Sequence, residues 1–201
     1  DKAVPFGAGD AIFSDISGPE GVPDNIINQY DKTVIGSPIP EHFGGIINTF
    51  KYKRWTLEAF LQGVAGNEVF NYIRYQNESM IGIQNQSKNV LNRWQYNGQE
   101  TNVPRALYND PAGNTSFSTR WIEDGSYLRI KNISLSYFFP NKILAFRNAL
   151  FYISASNLHT FSNYLGYDPE FSYSRSNIEQ GIDYGLSPQS RQFIIGVKLG
   201  L

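Results

Sequence analysis

The 201-residue sequence contains no cysteine, and it has neither a strong net charge nor a long apolar run. Without cysteine the chain can form no disulfide and no zinc–thiolate site, and thiolate catalysis is excluded. A formal net charge of −1 provides no basic field, so no nucleic-acid partner is expected. No apolar stretch approaches the roughly 18–20 residues that a membrane-spanning helix needs. Residues 1–5 do not form a signal peptide, so we expect any export signal to lie outside this sequence.

Aromatic residues, glycine and proline are by contrast frequent. Aromatic residues form 15% of the chain, with 13 Tyr and 14 Phe, beside 18 Gly and 10 Pro. Aromatic side chains favour strands, whereas Gly and Pro favour turns and irregular connections. The composition therefore predicts an all-β fold with extended loops.

The clearest strand signal lies in residues 131–139. Apolar residues such as Ile133, Leu135 and Tyr137 alternate there with asparagine and serine. Because successive side chains of a strand point to opposite faces, this strand has one apolar and one polar face. A strand of a soluble sandwich and a strand of a transmembrane barrel both show this pattern.

Similar patterns predict five strands in all. They lie at about 43–52, 54–64, 126–139, 148–158 and 190–201. A tight polar turn near Lys53 separates the first two, which we expect to form an antiparallel hairpin. A second short turn is predicted around Asn141 and Lys142.

The remaining connections are long. Residues 1–42 are rich in Gly, Pro, Asp and Asn and are predicted to form an irregular loop region. Two further long loops are predicted at 65–125 and 159–189. Part of the first, about 68–93, has a roughly helical spacing of apolar residues and is predicted to be a helix.

This alternation of short turns and long loops favours a large antiparallel transmembrane β-barrel over a β-sandwich. Outer-membrane barrels have short periplasmic turns and long extracellular loops, whereas sandwiches spread their loop lengths more evenly. On this hypothesis residues 1–42 and both long loops are extracellular, and the apolar strand faces contact lipid. The predicted lipid-facing residues are Trp55, Leu57, Leu61, Ile133, Leu135, Tyr137, Phe151, Ile153, Phe193, Ile195, Val197 and Leu199. The aromatic residues on this face gather near the short turns, as a membrane-interface girdle requires.

Strand number and strand parity add two expectations. Five strands are too few for a barrel, which needs about eight, and lipid cannot satisfy an open sheet edge. We therefore expect the sequence to be the C-terminal piece of a larger protein. Arg129 and Lys131 lie four and two positions before Ile133, so strand alternation predicts them on the same apolar face. We expect them near the outer rim, beside lipid phosphates.

Further motifs run through the chain in a fixed order. They are Ile35–Pro38 leading to Phe43–Lys53, Gly66–Asn71, Asn92–Trp94, Pro104–Ala106, Ser118–Arg129, Asn157–Phe161, Tyr167–Glu170 and the last strand. As an ordered set covering nearly the whole chain, they resemble the SusC/RagA family of TonB-dependent outer-membrane transporters from Bacteroidetes.

The resemblance implies a barrel of about 22 strands with a separate N-terminal plug, in the cell outer membrane, paired with a SusD-like surface lipoprotein. Such a pair imports glycans or oligopeptides with energy from the TonB complex, which would be reached through the N-terminal part outside this sequence. Leu201 stands where such barrels commonly end in an aromatic residue. Together with Gly196 and the apolar alternation, it is expected to serve barrel assembly.

Loop aromatic residues are the candidates for binding a substrate or a partner protein. They are Trp94, Trp121, Tyr164 and Tyr173. Aromatic rings offer a large rigid area for stacking on a ligand. The competing interpretation is that these rings pack the loops on one another.

No cofactor is expected, apart from a candidate calcium site. Asp15, Glu20 and Asp24 lie around a glycine-containing turn, and hard cations favour clustered oxygen ligands of this kind. The spacing departs from the standard calcium loop and the closing bidentate glutamate is absent. A solvated turn is the alternative interpretation.

Catalysis is not expected. Glu123–Asp124 and the pair Asp168 and Glu170 are the carboxylates that a glycosidase would use. Adjacent strand residues point apart, however, and acids in turns commonly cap backbone amides. His42 and His159 stand alone in sequence, which argues against a metal site or a catalytic triad.

A secreted soluble β-sandwich that binds carbohydrate is the alternative function, and a glycoside hydrolase fragment is a more distant one. A sandwich buries the apolar strand faces against each other, whereas a barrel wall exposes them to lipid. The surroundings of these faces therefore discriminate between the two.

Overall fold

The computed structural model of the protein describes residues 6–140, 146–171 and 180–200. The predicted second short turn at Asn141 and Lys142 lies outside these residues, as do Tyr173 and Leu201. The chain divides into two compact units. We call the described residues of 37–69, 123–181 and 185–201 the sheet unit, and those of 1–36, 70–122 and 182–184 the loop unit.

The sheet unit is a five-stranded antiparallel sheet. Its strands are β1 (His42–Tyr52), β2 (Trp55–Ala65), β5 (Tyr127–Phe139), β6 (Asn148–Ser162) and β8 (Gln192–Gly200), hydrogen-bonded in the order β1–β2–β5–β6–β8. Antiparallel neighbours along the sequence are the topology of a meander. The expected all-β antiparallel fold is thus confirmed; the sheet is open in this chain.

A two-residue turn joins β1 to β2. Tyr52 pairs with Trp55, so Lys53 and Arg54 form the whole connection. Lys53 has a φ of 55°, the left-handed conformation that the twisted two-residue hairpin turns require. The hairpin predicted from the polar turn is therefore built with the tightest common loop.

Strand β6 is longer than its sequence pattern indicates, since it runs to Ser162 rather than ending near residue 158. Asn157 has a φ of 54°, and its polar side chain resembles a turn residue in the sequence. The strand nevertheless continues, because His159 and Phe161 pair with Ile130 and Leu128 of β5.

The loop unit has little regular structure. Its elements are α1 (Tyr72–Glu78), β7 (Ile182–Asp183) and 3₁₀ turns at Gln29–Asp31, Lys88–Asn92 and Thr119–Trp121. The short strands β3 (Glu68–Asn71) and β4 (Ile122–Asp124) each span the boundary between the units. In the loop unit, β3 pairs in parallel with β7 through Phe70 and Ile182.

The helix predicted over about 68–93 is wrong for most of that range. Asn71 caps α1 by accepting a hydrogen bond from the Arg74 N–H, but the helix ends at Glu78 and Met80 then adopts a φ of 54°. The apolar residues whose spacing indicated a helix belong to separate elements of the structure. Val69 is buried in β3, while Met80 packs with Val90 and Val103 in a small core. No helix among the described residues is long and apolar enough to cross a membrane.

Candidate functional site

The strand register sorts the side chains of the five-stranded sheet onto two faces. In successive strands Leu57 pairs with Leu135, Leu135 with Ile153, and Ile153 with Ile195. Directly paired residues point to the same side of a sheet. We call this side the apolar face, and the opposite side, which carries Ser134 and Ser154, the polar face.

The apolar face is exposed along β6 and β8 in the described structure, except for the small Ala149 and Ala155, whereas its side chains in the central strand β5, such as Ile133, Leu135 and Tyr137, are half-buried. Ile195 is 85% exposed, Phe193 74% and Ile153 52%. All twelve residues predicted to face lipid belong to this face: Trp55, Leu57, Leu61, Ile133, Leu135, Tyr137, Phe151, Ile153, Phe193, Ile195, Val197 and Leu199. An exposed apolar patch of this extent marks a protein or membrane interaction surface.

An aromatic band crosses the apolar face at the end near the β1–β2 turn. Trp55 and Tyr137 lie 4.7 Å apart between ring centroids, Tyr137 and Phe139 4.5 Å, and Phe139 and Phe151 5.2 Å, all edge to face. Edge-to-face pairs at these distances are stabilising beyond their buried area. The aromatic residues spaced along three strands thus form one connected row.

The polar face is held by hydrogen bonds and close packing. Asn132 Oδ1 accepts hydrogen bonds from the hydroxyls of Ser154 and Ser156, at 2.9 and 3.2 Å. Gly196 pairs with Tyr152, and a Cβ at Gly196 would lie 2.3 Å from the tyrosine ring. The glycine therefore gives the ring room to lie flat on the neighbouring strand, a common cross-strand arrangement.

The predicted position of Arg129 on the apolar face is wrong. Strand β2 pairs Phe60 with Asn132 but Leu61 with Ile130, so Lys131 is an extra residue in a β-bulge. A bulge reverses the alternation on one of its sides, because side chains alternate with a period of two residues. Arg129 therefore shares the polar face with its partner Gln62.

Arg129 is buried in an ion-pair network of the sheet unit, with 1% of its surface exposed. Its Nη2 bonds to Asp168, and its Nη1 lies 2.8 Å from Glu170 Oε2. Lys131 Nζ reaches the same Glu170 oxygen at 2.7 Å, so it does not sit beside lipid phosphate as predicted. Asp168 also accepts a hydrogen bond from the Gln189 N–H at 2.9 Å. The network fixes the segment after β6 onto the polar face.

The carboxylates considered for glycoside hydrolysis have structural partners. Asp168 and Glu170 neutralise Arg129 and Lys131. Glu123 accepts a hydrogen bond from the Leu165 N–H at 3.0 Å, and Asp124 caps the Ser126 N–H at 2.8 Å. The His159 ring packs against Phe161, 4.4 Å away. These contacts give the groups structural roles.

The calcium candidates are spread over an ordinary turn. Asp15 accepts a hydrogen bond from the Asn25 N–H, Asp24 caps the Ile26 N–H at 2.9 Å, and Glu20 is exposed. Among residues 6–140, 146–171 and 180–200, no three acidic or histidine side chains are grouped so as to hold a metal ion.

Six aromatic rings form a cluster in the loop unit. Its members are Phe70, Tyr72, Tyr75, Phe117, Trp121 and Tyr184, linked by centroid distances of 4.9 to 6.0 Å. We call it the aromatic cluster. Phe117 is 63% exposed and Tyr184 37%, so the cluster has a solvent-facing edge. Of this cluster only Trp121 is among the candidates predicted from sequence, although the aromatic residues at positions 70, 72 and 75 are a further signal.

The loop aromatics selected from sequence are mainly packing residues. Trp121 is fully buried and Tyr164 is 8% exposed, so neither ring has a free face for stacking on a ligand. The half-buried Trp94 lies so close to Gly9 that a Cβ there would approach its ring to 2.3 Å. The direct binding role of Trp121 and Tyr164 stays a prediction, and their burial favours the alternative interpretation that these rings pack the loops.

Two arginines stack on the buried Trp121. The guanidinium carbon of Arg120 lies 4.4 Å from the ring centroid and that of Arg74 lies 5.7 Å from it. Burial, assisted by the positive charge of Arg74, lowers the pKa of Arg120 to about 10. Arg120 therefore remains charged at neutral pH.

Comparisons with known proteins give one family. TonB-dependent receptor P3 of Formosa agariphila is 32% identical over 199 residues, which cover 95% of this chain and 19% of that receptor. TonB-dependent receptor P26 of the same organism is 32% identical over 183 residues, covering 88% of this chain and 18% of the receptor. No family model matches the sequence.

Solved structures agree in fold. A chain of the RagAB peptide importer in its closed-closed state matches with a TM-score of 0.72 and 27% identity, over 90% of this chain and 20% of its own length. A structure of the RagAB peptide transporter matches with a TM-score of 0.69 and 30% identity, over 83% of this chain and 18% of its own. The chain thus spans about a fifth of the proteins it matches. It belongs to the TonB-dependent receptors of the SusC/RagA type.

Proposed function

We propose that this chain is the C-terminal wall segment of a β-barrel that imports nutrients through the cell outer membrane. The main support for this proposal is the chemical difference between the two faces of the sheet. Exposed apolar side chains such as Ile153 and Ile195 line one face, whereas the other carries hydrogen-bonded serine and asparagine. Barrel strands in lipid need this division.

The aromatic band gives the wall its depth in the bilayer. Trp55, Tyr137, Phe139 and Phe151 lie at the short-turn end of the sheet. Tyrosine and tryptophan favour the membrane–water interface, where an apolar ring and a polar atom are both accommodated. The band therefore marks the periplasmic interface, and the long connections predicted at 65–125 and 159–189 are proposed to be extracellular.

The sandwich alternative receives no support from the sheet. It requires Ile133, Leu135, Ile153, Val197 and Leu199 to meet one another in a dry interior. In the described structure Ile153, Val197 and Leu199 are about half exposed. The open edges of β1 and β8 fit further strands of a larger barrel instead.

The other parts of the transport system are proposed from the properties of the family. A plug domain and the other barrel strands complete the transporter, a SusD-like lipoprotein covers it, and the TonB complex supplies energy through the N-terminal part. Gly196 and Leu201 serve barrel assembly. The chain has no catalytic role and needs no cofactor. Its cargo is an oligopeptide or a glycan, and the RagAB peptide importer favours the peptide.

Uptake by cells tests this function. Cells that produce the full-length receptor should place it in the outer membrane and accumulate a fluorescent oligopeptide library or labelled glycan. Deleting the receptor gene, or dissipating the energy supply of the TonB complex, should abolish accumulation. Recovery of the receptor in the soluble fraction, or uptake unchanged by the deletion, would contradict the proposal.

A further inference from the structure

The short-turn end of the sheet carries charges of one sign. This end consists of residues 51–56, 136–140, 146–150 and 197–200. Within these described ranges every charged side chain is basic: Lys51, Lys53, Arg54, Arg147 and Lys198. The ion pairs of the described residues all lie elsewhere in the chain. A patch of one sign attracts a partner of the opposite sign, here an anionic one.

The strand register separates these cations into two groups. Lys51 pairs with Thr56 on the polar face. Lys198 lies on the same face, with its Nζ 5.7 Å from the ring centroid of Tyr152. On the proposed function, both of these cations point into the barrel interior. The other cations lie outside the strands, in the β1–β2 turn or directly before β6. We call this second group the basic rim: Lys53, Arg54 and Arg147.

The backbone of the basic rim is fixed by hydrogen bonds, while its side chains are exposed. The Arg54 carbonyl accepts a hydrogen bond from the Phe138 N–H at 2.9 Å, which ties the tight turn to β5. The Arg147 N–H donates to the Gly200 carbonyl at 2.8 Å. All three basic side chains are exposed. A ligand arriving from outside the sheet can therefore reach their charged groups.

The basic rim lies directly beyond the aromatic band. Tyr52 and Trp55 pair on the apolar face immediately before and after the turn. Lys53 Nζ lies 5.3 Å from the ring centroid of Tyr52, a cation–π contact that holds the ammonium group on the apolar side of the sheet. On the proposed function the band lies at the membrane–water interface. The ammonium group is then at the depth of the polar headgroups, which flank the hydrocarbon core.

We propose that the basic rim binds the phosphate headgroups of anionic phospholipids in the periplasmic leaflet, so that the receptor selects these lipids at its short-turn end. This inference rests on the proposed function. The rim continues the apolar face, so one phospholipid places its phosphate at the cations and its acyl chains on the exposed apolar side chains. This continuity favours a lipid over a soluble anion or a periplasmic protein.

Contact quenching in reconstituted bilayers tests the inference. A fluorophore on a single cysteine at the exposed Phe139 of the full-length receptor, with any other cysteine replaced, reports the lipid beside the basic rim. The bilayer contains equal amounts of anionic phosphatidylglycerol and of phosphatidylcholine, which has no net charge. Bromine atoms on one or the other lipid quench the fluorophore on contact. We expect an anionic preference of roughly five- to thirtyfold, because each cation near an anionic surface contributes about a factor of five.

The variants remove equal charge from the two faces of this end. Lys53→Asn combined with Arg54→Gln should lower the preference by about fivefold or more. Asparagine is chosen at position 53 because it tolerates the left-handed conformation of the turn. Lys51→Gln combined with Lys198→Gln is the matched control on the polar face and should leave the preference unchanged. A second fluorophore at Phe161, at the other end of the apolar face, should be quenched equally in all variants and shows that each is inserted.

The outcomes separate the inference from the function beneath it. Equal quenching by both lipids at Phe139 of the unsubstituted receptor overturns the inference, because the cations then serve a partner outside the bilayer. An unchanged preference in the Lys53 and Arg54 variant overturns it as well. An equal loss in the polar-face control overturns it too, since total charge and not the basic rim then sets the preference. Absence of quenching by either lipid at Phe139 and Phe161 contradicts the proposed function itself.

Discussion

At the scale of single residues, Arg129 shows how strongly the polar face is fixed. The cation is enclosed with Asp168, which is itself 8% exposed. Removing one partner of a buried ion pair leaves an uncompensated charge and typically costs about 3–5 kcal/mol. We therefore expect Arg129→Met to release the segment 163–171 from the sheet. Hydrogen exchange of the backbone amides in the full-length receptor measures this release.

Lys131→Met is the matched control for that experiment. The ion pair between Lys131 and Glu170 is about a quarter exposed on both sides. Pairs near solvent contribute roughly 0–1 kcal/mol, so this variant should exchange almost as slowly as the unsubstituted protein. Equal protection of 163–171 in Arg129→Met would show that the buried pair does not fix the segment.

Asp10 gives the loop unit a dependence on pH. Burial raises the pKa of its carboxyl, but hydrogen bonds from Arg105, Asn114 and the Gly7 N–H outweigh this effect and lower the pKa below its usual range. A carboxyl with a lowered folded-state pKa stabilises the fold above its unfolded pKa. This stabilisation is lost as the pH falls through the folded value.

We expect the segments around Asp10 and Arg105 to open as the pH falls below the ordinary pKa of an aspartate carboxyl, because protonation breaks the bidentate ion pair. Pepsin cleavage of the full-length receptor at several pH values measures the opening. Asp10→Asn should make these segments cleavable throughout the range and remove the transition. A transition of equal size in Asp10→Asn would assign it to another group.

At the scale of elements, the bulge in β5 determines which side chains lie on the apolar face of the sheet and which lie on the polar face. Deleting Lys131 keeps Arg129 opposite Gln62 of β2, but it leaves Asn157 and Leu158 of β6 without an opposite residue, so the pairing of β5 with β6 is disrupted at this point. We expect the deletion to lower the amount of folded receptor in the outer membrane strongly. The fraction that migrates as a compact band on unheated gels measures folding.

Lys131→Ala is the control, because it keeps the residue count and with it the bulge. Its folded fraction should stay close to that of the unsubstituted receptor. Normal folding of the deletion variant would show that the strand absorbs the shift and that the bulge is dispensable.

The strands of this fold can be predicted from the sequence, but the bulge cannot. In residues 131–139 and 192–200 every second side chain is apolar, and strands lie there. Alternation cannot reveal the extra residue at Lys131, because pairing with β2 and β6 decides it. The irregular loops are less predictable still. The partners of Trp121 come from α1 and from Arg120, and no local pattern links Tyr75 to a residue 46 positions later.

At the scale of the whole molecule, the receptor needs a wall that is apolar outside and polar inside. Five strands of this chain supply that division, with an aromatic band at one end and connections of very different length at the two ends. The loop unit has its own small core of Met80, Val90 and Val103. The proposed function therefore assigns the membrane wall to the sheet unit.

The most direct test of this account is the environment of neighbouring side chains on one strand. Because this chain has no cysteine, a spin label can be placed singly at Ile153, Ile195 or Ser154 of the full-length receptor in bilayers, after replacement of any cysteine elsewhere. The account predicts that labels at Ile153 and Ile195 collide with lipid-dissolved oxygen and are shielded from a water-soluble nickel complex, whereas the label at Ser154 shows little collision with oxygen. Equal oxygen accessibility at all three positions, or water exposure at Ile153 and Ile195, would contradict it.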